Sequence, residues 1–212
     1  MIAFLTSYFH LETLLYRLFA FLIALTVHDA AHALTARLLG DRSLQEQDRL
    51  SLNPLAHIDA LGLAMILFGP YGWTKPLPVR PEHFQSRPRL RHTIVFLAGP
   101  ISNLLLVFFF WWLYFALHIE GSGTIEMWRS FLQYCVIVNL MYFLIHLLPL
   151  YPFDGWYVLR GLVSKDKQNW LARNERYGLI LVLTLLVTPI GHWLLERIYP
   201  IAAQIVMNVF SL

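Results

Sequence analysis

Residues 14–39 read LLYRLFAFLIALTVHDAAHALTARLL, an apolar run without glycine or proline whose basic and acidic side chains are Arg17, His28, Asp29, His32 and Arg37. A helix needs roughly 20 residues to cross a hydrocarbon core of about 30 Å, so this run is long enough to span a membrane. Comparable runs lie near 93–117, 131–150 and 178–199. The stretch 61–72 is shorter, which suits a re-entrant or interfacial segment. Composition agrees: 58% of residues are hydrophobic, 14% are charged, and the mean hydropathy is +0.55. The expected fold is an all-α polytopic membrane protein of about four transmembrane helices. The first run is too long for a secretory signal and has no basic residue before Arg17, so it reads as a retained helix.

Charge placement orients the spans. Segment 41–92 carries Arg42, Arg49, Lys75, Arg80, Arg87, Arg89 and Arg91, and segment 151–177 carries Arg160, Lys165, Lys167, Arg173 and Arg176. Basic residues flanking spans mark the cytoplasmic side, so both loops belong inside. The connection 118–130 has Arg129 beside Glu120 and Glu126, and no Lys or Arg precedes Arg17. Four spans then alternate with both termini outside, as in a bacterial inner membrane. No nucleic-acid motif accompanies the basic loops.

No repeat or low-complexity linker divides the chain, and a single membrane domain over 1–212 suffices. Cys135 is the one cysteine, which excludes a disulfide framework and a cysteine-based metal site. Between Gly69 and Pro81 the sequence GPYGWTKPLPVRP is too rich in glycine and proline for a helix and predicts extended structure, with strands near 61–80. An extended edge there could pair with an unfolded peptide; a plain structured loop is the alternative.

Within the first span, His28 and His32 stand four residues apart, on one helical face, at a separation that lets both bind one tetrahedral metal ion. Ionisable groups inside a membrane helix are costly and usually functional, although two histidines could also hydrogen-bond across a bundle. Far along the chain, LLPLYPFDG (147–155) ends the third apolar run with two prolines, an acid and a glycine. Irregular backbone at membrane depth is tolerated where protein buries it or water reaches it, which suits Asp154 facing a polar cavity rather than only capping a helix. Two histidines and a carboxylate would leave one tetrahedral position open, the pattern of a catalytic zinc site.

The ordered blocks TVHDAAH, LNPLAHIDALG, GWTKPLPV, LAGPISN and LLPLYPFDG resemble the site-2 protease family of intramembrane zinc metallopeptidases, in its compact bacterial branch without a PDZ domain. The likeness covers roughly residues 20–160. It implies Zn2+ held by His28, His32 and Asp154, hydrolysis of a transmembrane segment of another membrane protein, and Asp29 as general base, where the family motif HExxH has glutamate. It also implies a polar role for His146, where the family usually has asparagine. An imidazole there can donate to an oxyanion or become a fourth zinc ligand. Asn139, Trp73 and Lys75 are candidates for substrate contact. Because Asp29 and His146 both depart from the pattern, a zinc-binding homologue that binds membrane segments as an adaptor stands as the alternative. His57 and Asp59 match a family block and read as surface or supporting residues.

Overall fold

A computed structural model describes residues 11–43, 49–65, 72–84, 86–116 and 124–191, with isolated positions beyond 191. The helices are α1 (Leu11–Leu38), α2 (Ala60–Ala64), α3 (Pro88–Ala116), α4 (Thr124–His146), α5 (Asp154–Leu162), α6 (Lys165–Arg173) and α7 (Glu175–Val187). Among the described residues, α1, α3 and α4 contain the segments long and apolar enough to cross a membrane. These three pack on one another, and α5 packs against α3. The protein is therefore an all-α membrane protein.

Small residues let the helices approach closely. Ala20, Phe21, Ala24 and Leu25 of α1 meet Val107 and Phe110 of α3 and Leu132, Cys135, Val136 and Leu140 of α4 in one core. Cys135 is thus a packing residue. On the opposite face of α3, Ile101, Leu105, Phe109 and Trp112 are exposed. A helix apolar on both faces needs lipid, not water, around its outer side.

Helix α1 stops because Gly40 adopts φ +111°, a conformation open to glycine. Asp41 N–H then donates to the Ala36 carbonyl at 2.9 Å and Gly40 N–H to Arg37 at 3.1 Å, the bond pair of a Schellman ending. The buried Asp41 carboxylate accepts from Ser43 N (3.0 Å) and Oγ (2.6 Å), from Arg80 N (3.0 Å) and from His83 Nδ1 (2.8 Å). Burial works to raise its pKa, but these donors outweigh it and hold the carboxyl below its ordinary value. The end of the first span is thereby tied to the far end of the segment 72–80.

Two sequence expectations change. Among the described residues, extended pairing near 61–80 is a single antiparallel bridge, Ile58 to Thr74, supported by Lys75 N–H donating to the His57 carbonyl at 3.0 Å. Residues 60–64 are a short helix, capped by Asp59 Oδ1 accepting from Gly62 N at 2.8 Å. Prolines at 76, 78 and 81 leave too few backbone donors to extend a ladder. Part of the expected strand region, 66–71, lies outside the described residues. The fourth apolar run forms α7, which ends at Val187, with Thr188 in an extended conformation before Pro189, because a residue preceding proline is pushed out of helical geometry. The rest of that run is only partly within the described residues.

Candidate metal centre

His28 and His32 leave α1 one turn apart and face α3, while Asp154 opens α5 after the turn 147–153. The DG pair has a steric reason. A side chain at Gly155 would collide with the carbonyls of Leu147 and Leu148, so glycine lets the chain fold back and bring Asp154 onto α1. His28 Nε2 lies 2.9 Å from Asp154 Oδ2, His32 Nε2 lies 3.2 Å from Oδ1, and the two Nε2 atoms are 3.0 Å apart. All three side chains are buried.

The LAGPISN block supplies the support. Val95, Gly99 and Asn103 stand four residues apart on one face of α3. The Val95 carbonyl lies 2.6 Å from His32 Nδ1, and Asn103 Oδ1 lies 2.6 Å from His28 Nδ1. Asn103 Nδ2 donates to the Ala24 carbonyl (3.2 Å) and to Asn139 Oδ1 (3.0 Å), so Oδ1 is the acceptor facing His28. Between them, Gly99 leaves the space that both imidazoles fill.

These contacts test the fit of a metal. Each Nδ1 faces only an oxygen acceptor and so carries the proton, leaving each Nε2 as a lone pair. Two lone pairs and a carboxylate then converge on one point, a repulsive arrangement that a cation resolves. Tetrahedral zinc, with ligands at about 2.0–2.2 Å, needs donor atoms about 3.3 Å apart, close to the separations found. His28, His32 and Asp154 therefore fit zinc.

His146, the last residue of α4, places Nδ1 2.8 Å from Asp154 Oδ2 and Nε2 3.4 Å from the Gly72 carbonyl. Among the described residues, the donors within 4.8 Å of one another belong to His28, His32 and Asp154, so His146 stands beside the cluster as the partner of Asp154. Asp29 is buried, and its Oδ2 lies 3.0 Å from His57 Nδ1 and 3.9 Å from Arg49 NH1. The other nitrogen of His57 lies 2.7 Å from the Ser51 carbonyl. Burial works to lower the His57 pKa, but the bonds to Asp29 and Ser51 carry it above its ordinary value.

A narrow cleft is lined by Asp29, His32, His146 and Asp154 together with Trp73, Thr74, Lys75, Pro76 and Leu77, with Phe96, Pro152 and Tyr157 beside them. Trp73 and Lys75 thus border the same cleft as the cluster. Asn139 is buried behind His28, with its amide engaged to Asn103 and to the Cys135 carbonyl at 2.8 Å. Sequence reading did not single out Gly99, Asn103 and Arg49 as parts of the site. For the first two the available signal was their fourfold spacing opposite two histidines also four apart.

The Bacillus subtilis protein named "Putative zinc metalloprotease YwhC" is 34% identical over 208 residues, which cover 96% of this chain and 94% of the relative. The chain belongs to the site-2 protease family. The Mycolicibacterium smegmatis protein named "Putative zinc metalloprotease Rip2" is 28% identical over 184 residues, covering 84% of this chain and 69% of that relative. No family model and no solved structure matches the chain. As a site-2 protease family member it is a zinc metalloprotease with a membrane-embedded fold, and the buried cluster of His28, His32 and Asp154 could hold the zinc.

Proposed function

We propose that this site-2 protease homologue is an intramembrane metalloendopeptidase that hydrolyses one peptide bond in a transmembrane segment of another protein, with its active cleft opening toward the cytoplasm. The observation that carries the reading is the convergence of His28, His32 and Asp154 on a cleft that also contains a carboxylate, Asp29, and an extended wall, Trp73–Leu77. Zinc, when bound, supplies Lewis acidity toward a water and the scissile carbonyl.

The chain's own groups supply the rest. Asp29 accepts the proton of the attacking water and passes it to the leaving amine. Although aspartate is one methylene shorter than the family's glutamate, Asp29 borders the same cleft as Asp154, and proton transfer across one intervening water needs no direct contact. His146 donates Nδ1–H to Asp154 and so fixes the carboxylate that joins the two histidines, the role a supporting hydrogen bond plays for a ligand. Trp73 and Lys75 contact the substrate segment. The basic loops face the cytoplasm, and the surrounding lipid belongs to a bacterial inner membrane.

The test measures zinc content and cleavage of a reporter transmembrane substrate in membranes for wild type, Asp29→Ala, Asp29→Glu, His146→Asn and His28→Ala. Wild type should bind one zinc and cleave, and Asp29→Ala should keep zinc and lose cleavage. Zinc binding without cleavage in wild type, with cleavage restored by Asp29→Glu plus His146→Asn, would make the natural protein the non-cleaving adaptor. Unchanged zinc in His28→Ala would refute the site.

A further inference from the structure

The general base proposed above does not stand alone in its cavity. Asp29 is 1% exposed, and a carboxylate so far from water is stable as an anion only beside compensating charge or donors. His57 and Arg49 provide both, from the segment that follows α1. His57 is itself 0% exposed. Its ring nitrogens face oxygen on both sides, Asp29 Oδ2 at 3.0 Å and the Ser51 carbonyl at 2.7 Å, a pattern that an imidazole satisfies by donating from both nitrogens. Arg49 reaches NH1 to 3.9 Å from the same Oδ2 and NH2 to 3.5 Å from the Pro76 carbonyl, so its guanidinium lies between the carboxylate and the cleft wall.

Both contacts fall on one oxygen. His57 bonds Oδ2 and the Arg49 charge stands 3.9 Å from the same atom, so the carboxylate is anchored at that end and Oδ1 is left as the oxygen that can face a water in the cleft. An unsupported aspartate, rotating about two side-chain bonds, would hold that geometry only part of the time, and misplacement by about 1 Å can cost a hundredfold in rate.

We propose that His57 and Arg49 are positioning residues that clamp Asp29 through Oδ2 and present Oδ1 to the water it activates. The clamp rests on the reading of Asp29 as the general base. It also accounts for the LNPLAHIDALG block (52–62), whose turn at Asn53–Pro54 and whose bridge from Ile58 to Thr74 carry His57 under α1. Arg49 adds a mechanical link, since a substrate that shifts the wall at Pro76 would move the group facing Asp29.

The test uses the zinc-loaded protein and two readouts, cleavage of the reporter substrate and affinity for a peptide hydroxamate, an acid that chelates zinc and passes its proton to a neighbouring carboxylate. His57→Ala should lower kcat by about 10–100-fold and weaken hydroxamate binding, with KM and zinc content unchanged. Conservative variants separate positioning from mere folding. His57→Asn places an amide N–H where Nδ1 stood and should retain most activity, whereas His57→Gln mimics Nε2, keeps only the Ser51 contact, and should be as poor as His57→Ala. Arg49→Gln, at a largely buried side chain, should lower kcat by about tenfold with zinc content unchanged. In an Asp29→Ala background, none of these substitutions should have a further effect.

Additive losses, a better His57→Gln than His57→Asn, or hydroxamate affinity indifferent to His57 would overturn the clamp, while cleavage by wild type would still support the peptidase reading. If wild type cleaves nothing yet hydroxamate affinity follows the expected order, the peptidase reading falls, and with it the catalytic purpose of the clamp, while the contact of His57 with Asp29 is upheld as a feature of the zinc site alone.

Discussion

Gly99→Ala is the sharpest probe of the metal centre. A Cβ added at Gly99 would lie 2.6 Å from His32 Cε1 and 2.7 Å from His28 Cε1, and closer still to His32 Nε2. Carbon atoms pack at about 3.5–4.0 Å, so both rings must retreat by roughly 1 Å. They have little freedom to do so, because Nδ1 of each is held at 2.6 Å by Asn103 or by the Val95 carbonyl. Zinc ligand distances tolerate about 0.2 Å, and a shift of this size takes at least one nitrogen out of reach. Zinc affinity should fall by about a hundredfold or more. The metal-free protein should behave differently, since alanine in a helix is favoured over glycine by about 1 kcal/mol, which partly offsets about 1–3 kcal/mol of overpacking. Competition against a chromophoric zinc chelator gives the affinity, and thermal unfolding in detergent gives the stability of the metal-free form. A Gly99→Ala protein that binds zinc like wild type would refute the placement of both histidines against α3.

Three further outcomes follow from the same geometry. Asn103→Ala removes the acceptor of His28 Nδ1 and should lower zinc affinity about 10–100-fold by equilibrium dialysis, a larger effect than Asn139→Ala, which acts one bond further away. Zinc at a hundred times its Kd should stabilise the folded protein by about 2.7 kcal/mol, read as a rise in Tm that a chelator reverses and that His32→Ala abolishes. Because the Asp41 carboxyl is held below its ordinary pKa, its contribution is fully present above the unfolded value of about 3.9 and is lost as pH falls through the folded one. Asp41→Asn should therefore cost about 1.5 kcal/mol near neutral pH and progressively less in acid, as measured by thermal unfolding across pH.

Much of this was legible in the sequence because membrane physics makes it so. Apolar runs announce the spans, and a histidine pair or an aspartate inside such runs stands out against lipid. The convergence of Asp154 on His28 and His32 could be anticipated from the chemistry of the donor set. What escaped reading depends on contacts between segments that carry no local signal. Asn103 looks like any polar residue in a bundle until its amide is seen between His28 and Asn139. His57 reads as a surface or supporting residue, and only the structure decides between the two by burying it fully beneath Asp29. Among the described residues, the extended pairing expected near 61–80 is one bridge, and Asp59 caps a helical turn over 60–64 instead. The aspect of His146 that sequence could not reach was which neighbour it would choose, and its ring bonds to Asp154.

The turn at 147–153 has a consequence in time as well as in space. Two donors of the cluster lie in the first span, whereas the third is added to the chain more than 120 residues after His32, behind a turn so close to the Leu147 and Leu148 carbonyls that it leaves no room for a side chain at position 155. A growing chain with its first helices already in the bilayer therefore carries no complete centre. The donor set is complete only once all three segments have been made, and any chemistry that needs all three donors arrives with the fold.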